Sequence, residues 1–321
     1  MELGHVVVLA GGLSHEREVS LRSGRRVADA LRSVDVPVEL RDADATLLDS
    51  FTSDPPDAVF PVLHGAAGED GAIRGVLELL GIPYVGARPD ACRVAWDKPT
   101  AKAVVHRAGL RTPASVALPK EVFHDLGASA VLERILNHLG LPLFVKPTQG
   151  GSALGASVVR EAGDLPAAMV GCFAYGDAAL VEQYVAGTEI AVSVIERGGE
   201  PHALPAVEIV APGGRYDYTA RYDAGDTEFV TPARLSDEAT ARATAAAVTA
   251  HRALGLRDLS RTDLIVSPDG EVHFLEVNVA PGMTETSLLP RAVSAADLDL
   301  GELCRDLIER RLTSRREDSR D

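Results

Sequence analysis

The sequence predicts an α/β (α+β) fold in more than one domain, opening on a parallel sheet. Three observations carry this reading. The chain has 321 residues, too many for one ordinary domain, so two or three are expected. Short apolar strand signals alternate with helical ones through the first third of the chain, the spacing of parallel strands joined by crossover helices. Near the C-terminus a hairpin signal, DLIV-SPDG-EVHFLEVN, adds antiparallel pairing.

Residues 6–10 (VVVLA) read as the first strand, and Leu21, Val27, Ala28 and Leu31 recur at helical spacing over 21–32. Strands are expected over 36–40 and 58–63, then a helix over 72–80, a short strand at 84–85 and a domain end near residue 90. A helix from Asp97 to Ala108 is closed by Gly109. Strands over 115–118, 143–146 and 156–159 alternate with helices over 128–139 and 164–171. Strands over 179–183, 190–195 and 203–209 follow. The polar stretch APGGRYDYTARYDAGDTE lacks periodicity and reads as a long loop, of the kind that serves enzymes as a lid. An alanine-rich helix over 236–254, the hairpin and a helix over 298–312 complete the chain.

With 46% hydrophobic and 25% charged residues the chain is of globular type. No apolar run approaches the roughly 18 residues of a membrane span, and MELGHVVVLAGG lacks the basic start and cleavage site of a signal peptide. Cys92, Cys172 and Cys304 show no metal spacing and fit free thiols, so a cytoplasmic protein is expected. A formal net charge of −15 argues against nucleic acid or an anionic membrane as partner, while leaving room for a locally bound phosphate.

The chemistry concentrates in the hairpin. Glu276 and Asn278 are two apart on one strand and so share a face, and pairing across the Pro-Asp-Gly turn brings Asp263 level with them. This all-oxygen set suits Mg²⁺ completed by waters and phosphate oxygens; the alternative is a solvated sheet face. Arg261 shares the face of Asp263 and either neutralises it or donates to a developing charge. Gly282 permits close backbone approach to a ligand. Ser287 precedes a helix starting at Leu288, as a cap or as part of a carboxylate site.

Elsewhere, KPTQGGSALG places Lys146 at a strand end before glycines whose N–H groups can approach phosphate, although a tight turn explains the glycines equally well. Lys98 is a second candidate phosphate cation or a solvated lysine. In GGLSHEREVS, Ser14 reads as a helix cap, and Glu16 either grips a substrate ammonium or favours the helix dipole. His64, in LHGAAGEDG, sits at the carboxyl end of a strand, where open α/β sheets bind ligands; a structural histidine is the alternative. Glu182 and Glu189 flank a turn and are either solvated or able to read a nucleoside.

These motifs, with WDK, VEQYVAGTE, YDYTARY and PGMTETSL, stand in an order and spacing over nearly the whole chain that resembles the D-alanine–D-alanine ligase family of ATP-grasp enzymes. The resemblance implies three α+β domains, here 1–92, 93–180 and 181–321, enclosing ATP, two Mg²⁺ (or Mn²⁺) and two D-amino acids, in a homodimer. It implies that Lys98 and Lys146 hold ATP phosphates, Glu182 and Glu189 the adenine and ribose, and Asp263, Glu276 and Asn278 the metals. Glu16 would bind the first ammonium, with Ser152 and Tyr222 latching the lid to it, and His64 would lie beside that substrate. Arg261 and the N–H of Gly282 would form an oxyanion hole; Ser287 and the N–H of Leu288 would hold the second carboxylate. Arg221 stands where relatives usually carry a lysine for the γ-phosphate, and Gly150 and Ala153 where many carry an acid and a serine. Tyr222 favours D-alanyl-D-alanine over a D-lactate product, since D-lactate-using relatives generally lack it. Another ATP-grasp amide ligase, in antibiotic biosynthesis or self-resistance, is the alternative; a non-catalytic binding protein would have no use for an oxyanion donor.

Overall fold

The computed structural model describes residues 3–210 and 227–318. The N-terminal sheet is parallel, as the alternation predicts. Strand β1 (Val6–Ala10) lies between β2 (Val38–Asp42) and β3 (Ala58–Pro61), with register Val6↔Val38 and Val6↔Ala58. Every β1 side chain is buried, as expected of a central strand covered on both faces. Tyr84 adds a parallel bridge to Val59. Helix α1 (Arg17–Ser33) buries Ser20, Gly24, Val27, Ala28 and Leu31, one stripe at helical spacing. Gly24 lets α1 settle close to the sheet: a β-carbon there would lie 2.5 Å from that of Ala10. Ser14 does not cap α1. The cap position is Glu16, and the Ser14 hydroxyl instead accepts from the Glu16 N–H at 3.2 Å. Short helices α2 (Leu47–Ser53), α3 (Ala66–Glu69) and α4 (Ala72–Leu79) complete this part.

The next helices, α5 (Pro89–Trp96) and α6 (Lys98–Arg107), meet at Asp97, whose side chain accepts from the Thr100 N–H at 3.0 Å and caps α6. A four-stranded antiparallel sheet follows, built from β4 (Ser115–Pro119), β5 (Leu143–Pro147), β6 (Ser157–Val159) and β7 (Ala178–Gln183) in the order β4-β7-β5-β6. Helices α7 (Lys120–Leu126), α8 (Ala128–Leu139) and α9 (Leu165–Phe173) supply its core, among them Phe123, Ile135 and Met169.

The third sheet is antiparallel. It comprises β8 (Thr188–Arg197), β9 (Glu200–Ala203), β10 (Val207–Val210), β11 (Glu228–Val230), β12 (Leu259–Val266) and β13 (Val272–Asn278). Its path is β11-β10-β8-β12-β13, with β9 on β8. The single strand expected over 203–209 is two, because Pro205 has no N–H for a ladder and interrupts the pairing. One face packs with α5, α6 and the alanine-rich α10 (Asp237–Ala253). The other shares a core with α1, the N-terminal sheet, α11 (Leu288–Ala295) and α12 (Leu300–Asp318). The helices α2, α3, α5 and α7 went unread in the sequence because each spans at most eight residues, too short for a convincing period, whereas the helix expected from Leu288 is α11.

Gly24→Ala tests how tightly α1 is seated. Alanine favours the helix by about 1 kcal/mol, but its methyl collides with Ala10. A net loss of about 1–2 kcal/mol in chemical denaturation is expected, as for an overpacked core.

Candidate functional site

The β12–β13 hairpin places its polar side chains as the period-2 reading predicts. Asp263 faces Glu276 and Arg261 faces Asn278 across the pair, with a bulge between Asp263 and Leu264. The Arg261 guanidinium grips both Asp263 oxygens, Nε at 2.7 Å and Nη2 at 2.8 Å. Asn278 Oδ1 accepts from the Ala280 N–H at 2.7 Å and keeps a lone pair free. Among the described residues no group of three His, Cys, Asp or Glu could hold a metal ion. The hairpin offers two carboxylates and an amide oxygen instead. That set fits a hard cation whose remaining positions are filled by phosphate oxygens and water.

Above the hairpin runs a chain of alternating charge. Glu276 lies 3.7 Å from the Lys98 ammonium and 3.8 Å from that of Lys146. Lys146, at the end of β5, lies 3.0 Å from Glu182 on β7, and Glu182 pairs in turn with Lys102. Lys98 and Lys102 are one turn apart on α6, so both project to the same side. Burial works against the Lys146 ammonium, yet Glu182 and Glu276 outweigh it and raise its pKa. Burial pushes Lys98 down, and Glu276 only partly opposes it. Burial likewise lowers Lys102 against the pull of Glu182. Lys102 was missed in the sequence; its i,i+4 relation to Lys98 was the available signal.

The glycine loop after β5 closes over this floor. Gly150, Ser152, Ala153 and Gly155 all have positive φ, at 117°, 54°, 54° and 70°. Two non-glycine residues in that region mark a turn held by its surroundings. Lys98 donates to the Gly150 carbonyl at 2.6 Å, and Ser152 hydrogen-bonds Glu16 on the N-terminal segment. A β-carbon on Gly151 would stand 3.5 Å from Glu16 and 3.8 Å from Glu69, so two acids flank the loop. Glu69 is a second residue that sequence reasoning passed over. It is buried, accepts from the Gly65 N–H at 2.9 Å, and is raised from 4.5 to about 8 by burial and then by Glu16.

Two cavities meet here. Glu16, His64, Arg261, Asn278, Gly282 and Ser287 line one; Phe144, Glu182, Tyr184, Glu189, Glu208 and Asp263 line the other. They share Lys98, Gly150, Gly151 and Glu276. Ser287 does occupy the N-cap position of α11, but its hydroxyl does not cap. It accepts from the Thr284 N–H at 3.0 Å and lies 2.8 Å from Thr284 Oγ1, folding the segment ahead of the helix. Leu288 is the first residue of α11 and also lines the first cavity. Arg221 and Tyr222, the lid residues of the sequence reading, lie outside the described residues.

Family models for the D-ala D-ala ligase N-terminus and C-terminus match residues 41–87 and 104–309. The chain belongs to the D-alanine–D-alanine ligase family. It is 42% identical over 306 residues to the D-alanine–D-alanine ligase of Bordetella petrii, covering 95% of this chain and 91% of the relative. It is 40% identical to that of Moorella thermoacetica, covering 95% and 98%. Among solved structures it resembles the VanG D-Ala:D-Ser ligase of Enterococcus faecalis, at 30% identity and TM-score 0.82, covering 96% and 99%. It also resembles the Bacillus anthracis D-alanine–D-alanine ligase complexed with ATP, at 28% identity and TM-score 0.81, covering 98% and 99%. The architecture expected from the family's motifs is therefore the one observed.

Glu69 makes a pH test. Its folded pKa, about 8, exceeds its ordinary value of 4.5, so the folded state holds this proton more tightly than the unfolded one. The stabilisation is complete below about pH 4.5 and is lost as pH rises towards about 8. Glu69→Gln keeps an acceptor for Gly65 without the charge. It is expected to match the wild type in denaturation at about pH 5 and to be more stable at about pH 9, by on the order of 2–4 kcal/mol. Parallel stability profiles for the two proteins would contradict this.

Proposed function

We propose that this chain joins two D-alanine molecules into D-alanyl-D-alanine, cleaving ATP to ADP and phosphate, as a step in peptidoglycan precursor synthesis. The observation that carries this reading is the junction of the two cavities at Lys98, Gly150, Gly151 and Glu276. A part-apolar cleft suited to a nucleotide and a polar one suited to amino acids share a charged floor, where a phosphoryl group can pass between them.

A carboxylate does not condense with an amine unaided, so it must first gain a leaving group. In the first step an oxygen of the first D-alanine's carboxylate attacks the γ-phosphorus, and the bond to the ADP oxygen breaks, leaving an acyl phosphate. Lys98 and Lys146 hold the phosphate oxygens and spread their charge. Glu182 and Glu189 lie along the base and ribose end of the cleft, and Glu16 binds the first ammonium. In the second step the second D-alanine's amine, having lost a proton, attacks the acyl carbon. The tetrahedral oxyanion takes hydrogen bonds from Arg261 and the Gly282 N–H. It then collapses to expel phosphate, and the nitrogen loses its remaining extra proton to give the peptide bond. Ser287 and the Leu288 N–H receive the second carboxylate. Two Mg²⁺ (or Mn²⁺) held by Asp263, Glu276 and Asn278 would supply neutralisation of phosphate charge. The closed glycine loop keeps water from the acyl phosphate.

In this reading residues 1–92 bind the first amino acid, and 93–180 and 181–321 form the two jaws around ATP. A cytoplasmic site of action fits the three cysteines, all free and buried, and the family resemblance implies a homodimer. Among the described residues no helix is long and apolar enough to cross a membrane.

Phosphate release from ATP, measured with D-alanine, L-alanine, D-serine or D-lactate, tests the reading. D-alanine alone should support release with dipeptide formed in equal amount. A faster rate with D-alanine plus D-serine would move the assignment towards the D-Ala:D-Ser ligase among the solved structures. Arg261→Ala is expected to lower kcat about 10²–10³-fold while the KM for ATP changes by a few-fold. Equal losses in both would remove Arg261 from the oxyanion site.

A further inference from the structure

Two buried bonds reach across from the N-terminal part of the chain to the segment that follows β13, and a third joins their N-terminal ends. Ser23 lies in the middle of α1 and is fully buried; His64 follows β3 and is 5% exposed. Ser23 Oγ stands 3.1 Å from the Met283 amide nitrogen and 3.3 Å from His64 Nε2. His64 Nδ1 stands 3.1 Å from the Ala280 carbonyl oxygen.

The protons along this chain have one consistent arrangement for a neutral imidazole. An amide N–H only donates, so Ser23 Oγ accepts from Met283. A carbonyl oxygen only accepts, so His64 carries its proton on Nδ1 and donates to Ala280. Nε2 is then a bare acceptor, and the Ser23 hydroxyl proton goes to it. Burial depresses the His64 pKa, against the pull of Glu16, which keeps the ring in the neutral form this arrangement needs.

Ala280 and Met283 bracket Pro281–Gly282. The segment 279–283 has neither helical nor strand pairing to fix it, so the orientation of its peptide planes depends on such bonds. We propose that Ser23 and His64 are positioning residues for the Gly282 N–H: they clamp the carbonyl before this turn and the amide after it, and so aim the donor at the oxygen that becomes the oxyanion. Both ring nitrogens of His64 are then engaged by the protein, and its part in the reaction is to orient backbone rather than to touch substrate. An oxyanion donor works only when preorganised to within a fraction of an ångström, and here the N-terminal helix sets that geometry for a donor carried by the C-terminal part. The inference rests on the ligase reading above, with the Gly282 N–H as oxyanion donor.

Ser23→Ala removes both the acceptor for Met283 and the donor to His64. It is expected to slow dipeptide formation about 10–100-fold, the cost of a small misplacement of a reacting group, with the KM for ATP within about two-fold of the wild type. Phosphate released per dipeptide should rise above one, because acyl phosphate still forms but is lost to water. Ser23→Thr, which retains the hydroxyl, should recover most of the rate and the coupling. In the unmodified protein, ¹⁵N NMR of the imidazole should find the His64 proton on Nδ1. Absence of dipeptide from the wild type would sink the ligase reading itself. Dipeptide formed normally by the wild type and equally fast by Ser23→Ala, or a proton found on Nε2, would overturn the positioning role alone. So would a variant with lowered Tm but unchanged kcat and coupling, since that marks a merely structural bond.

Discussion

A site built to receive polyphosphate must store its cations inside the protein when no phosphate is there, and the arrangement of the cleft follows from that constraint. A lysine at this depth without a carboxylate would give up its proton or destabilise the fold by several kcal/mol. Here Lys98, Lys102 and Lys146 are interleaved with Glu182 and Glu276, and Arg261 lies on Asp263. The contacts are not equal. Lys146 is 3.0 Å from Glu182 but 3.8 Å from Glu276. Glu276 is thus the looser partner and the one facing both cavities. In the proposed reaction, a phosphate would take over Lys98 and Lys146, and Glu276 would be among the residues that hold the metal.

The fold is arranged around this exchange. The four-stranded sheet contributes Lys146 and Glu182, the six-stranded sheet contributes Asp263 and Glu276, and α6 carries Lys98 and Lys102 between them. Because α6 packs in the core of the six-stranded sheet, Lys102–Glu182 is also a tie between the two jaws. Glu182 also lines the larger cavity, so in the proposed reaction a shift of one jaw against the other would disturb the charges assigned to the phosphates.

How much of this was legible depended on whether the signal was local. Asp263, Glu276 and Asn278 could be read together because strand period and one tight turn fix their relation, and Arg261 followed by the same period. The buried state of Lys102 could not be read, since its partner lies 80 positions away on another sheet. Glu69 drew no reading of its own, since its raised pKa comes from burial and then from Glu16, and neither is visible in the local sequence. The Ser14 and Ser287 caps were reasonable from residue type, but both hydroxyls satisfy backbone amides within their own loops instead. Ser23, between Arg22 and Gly24 of α1, carried no sign that a chain position 260 residues later would need its oxygen.

The bond between Ser152 and Glu16 connects these themes. Glu16 is the proposed partner of the substrate ammonium, and Ser152 belongs to the loop over the phosphates. A loop with two non-glycine residues at positive φ is not at its own conformational minimum, so its closed form depends on what it touches. Glu16 and the Lys98 contact to Gly150 both supply that hold. On the proposed function one carboxylate would both receive the amino acid and fasten the phosphate loop, so that occupancy of the amino-acid cavity and closure over the nucleotide would be coupled through a single side chain. In the proposed reaction, that coupling sets the order of events: the loop seals most firmly when both cavities are filled, which is when an acyl phosphate most needs shelter from water.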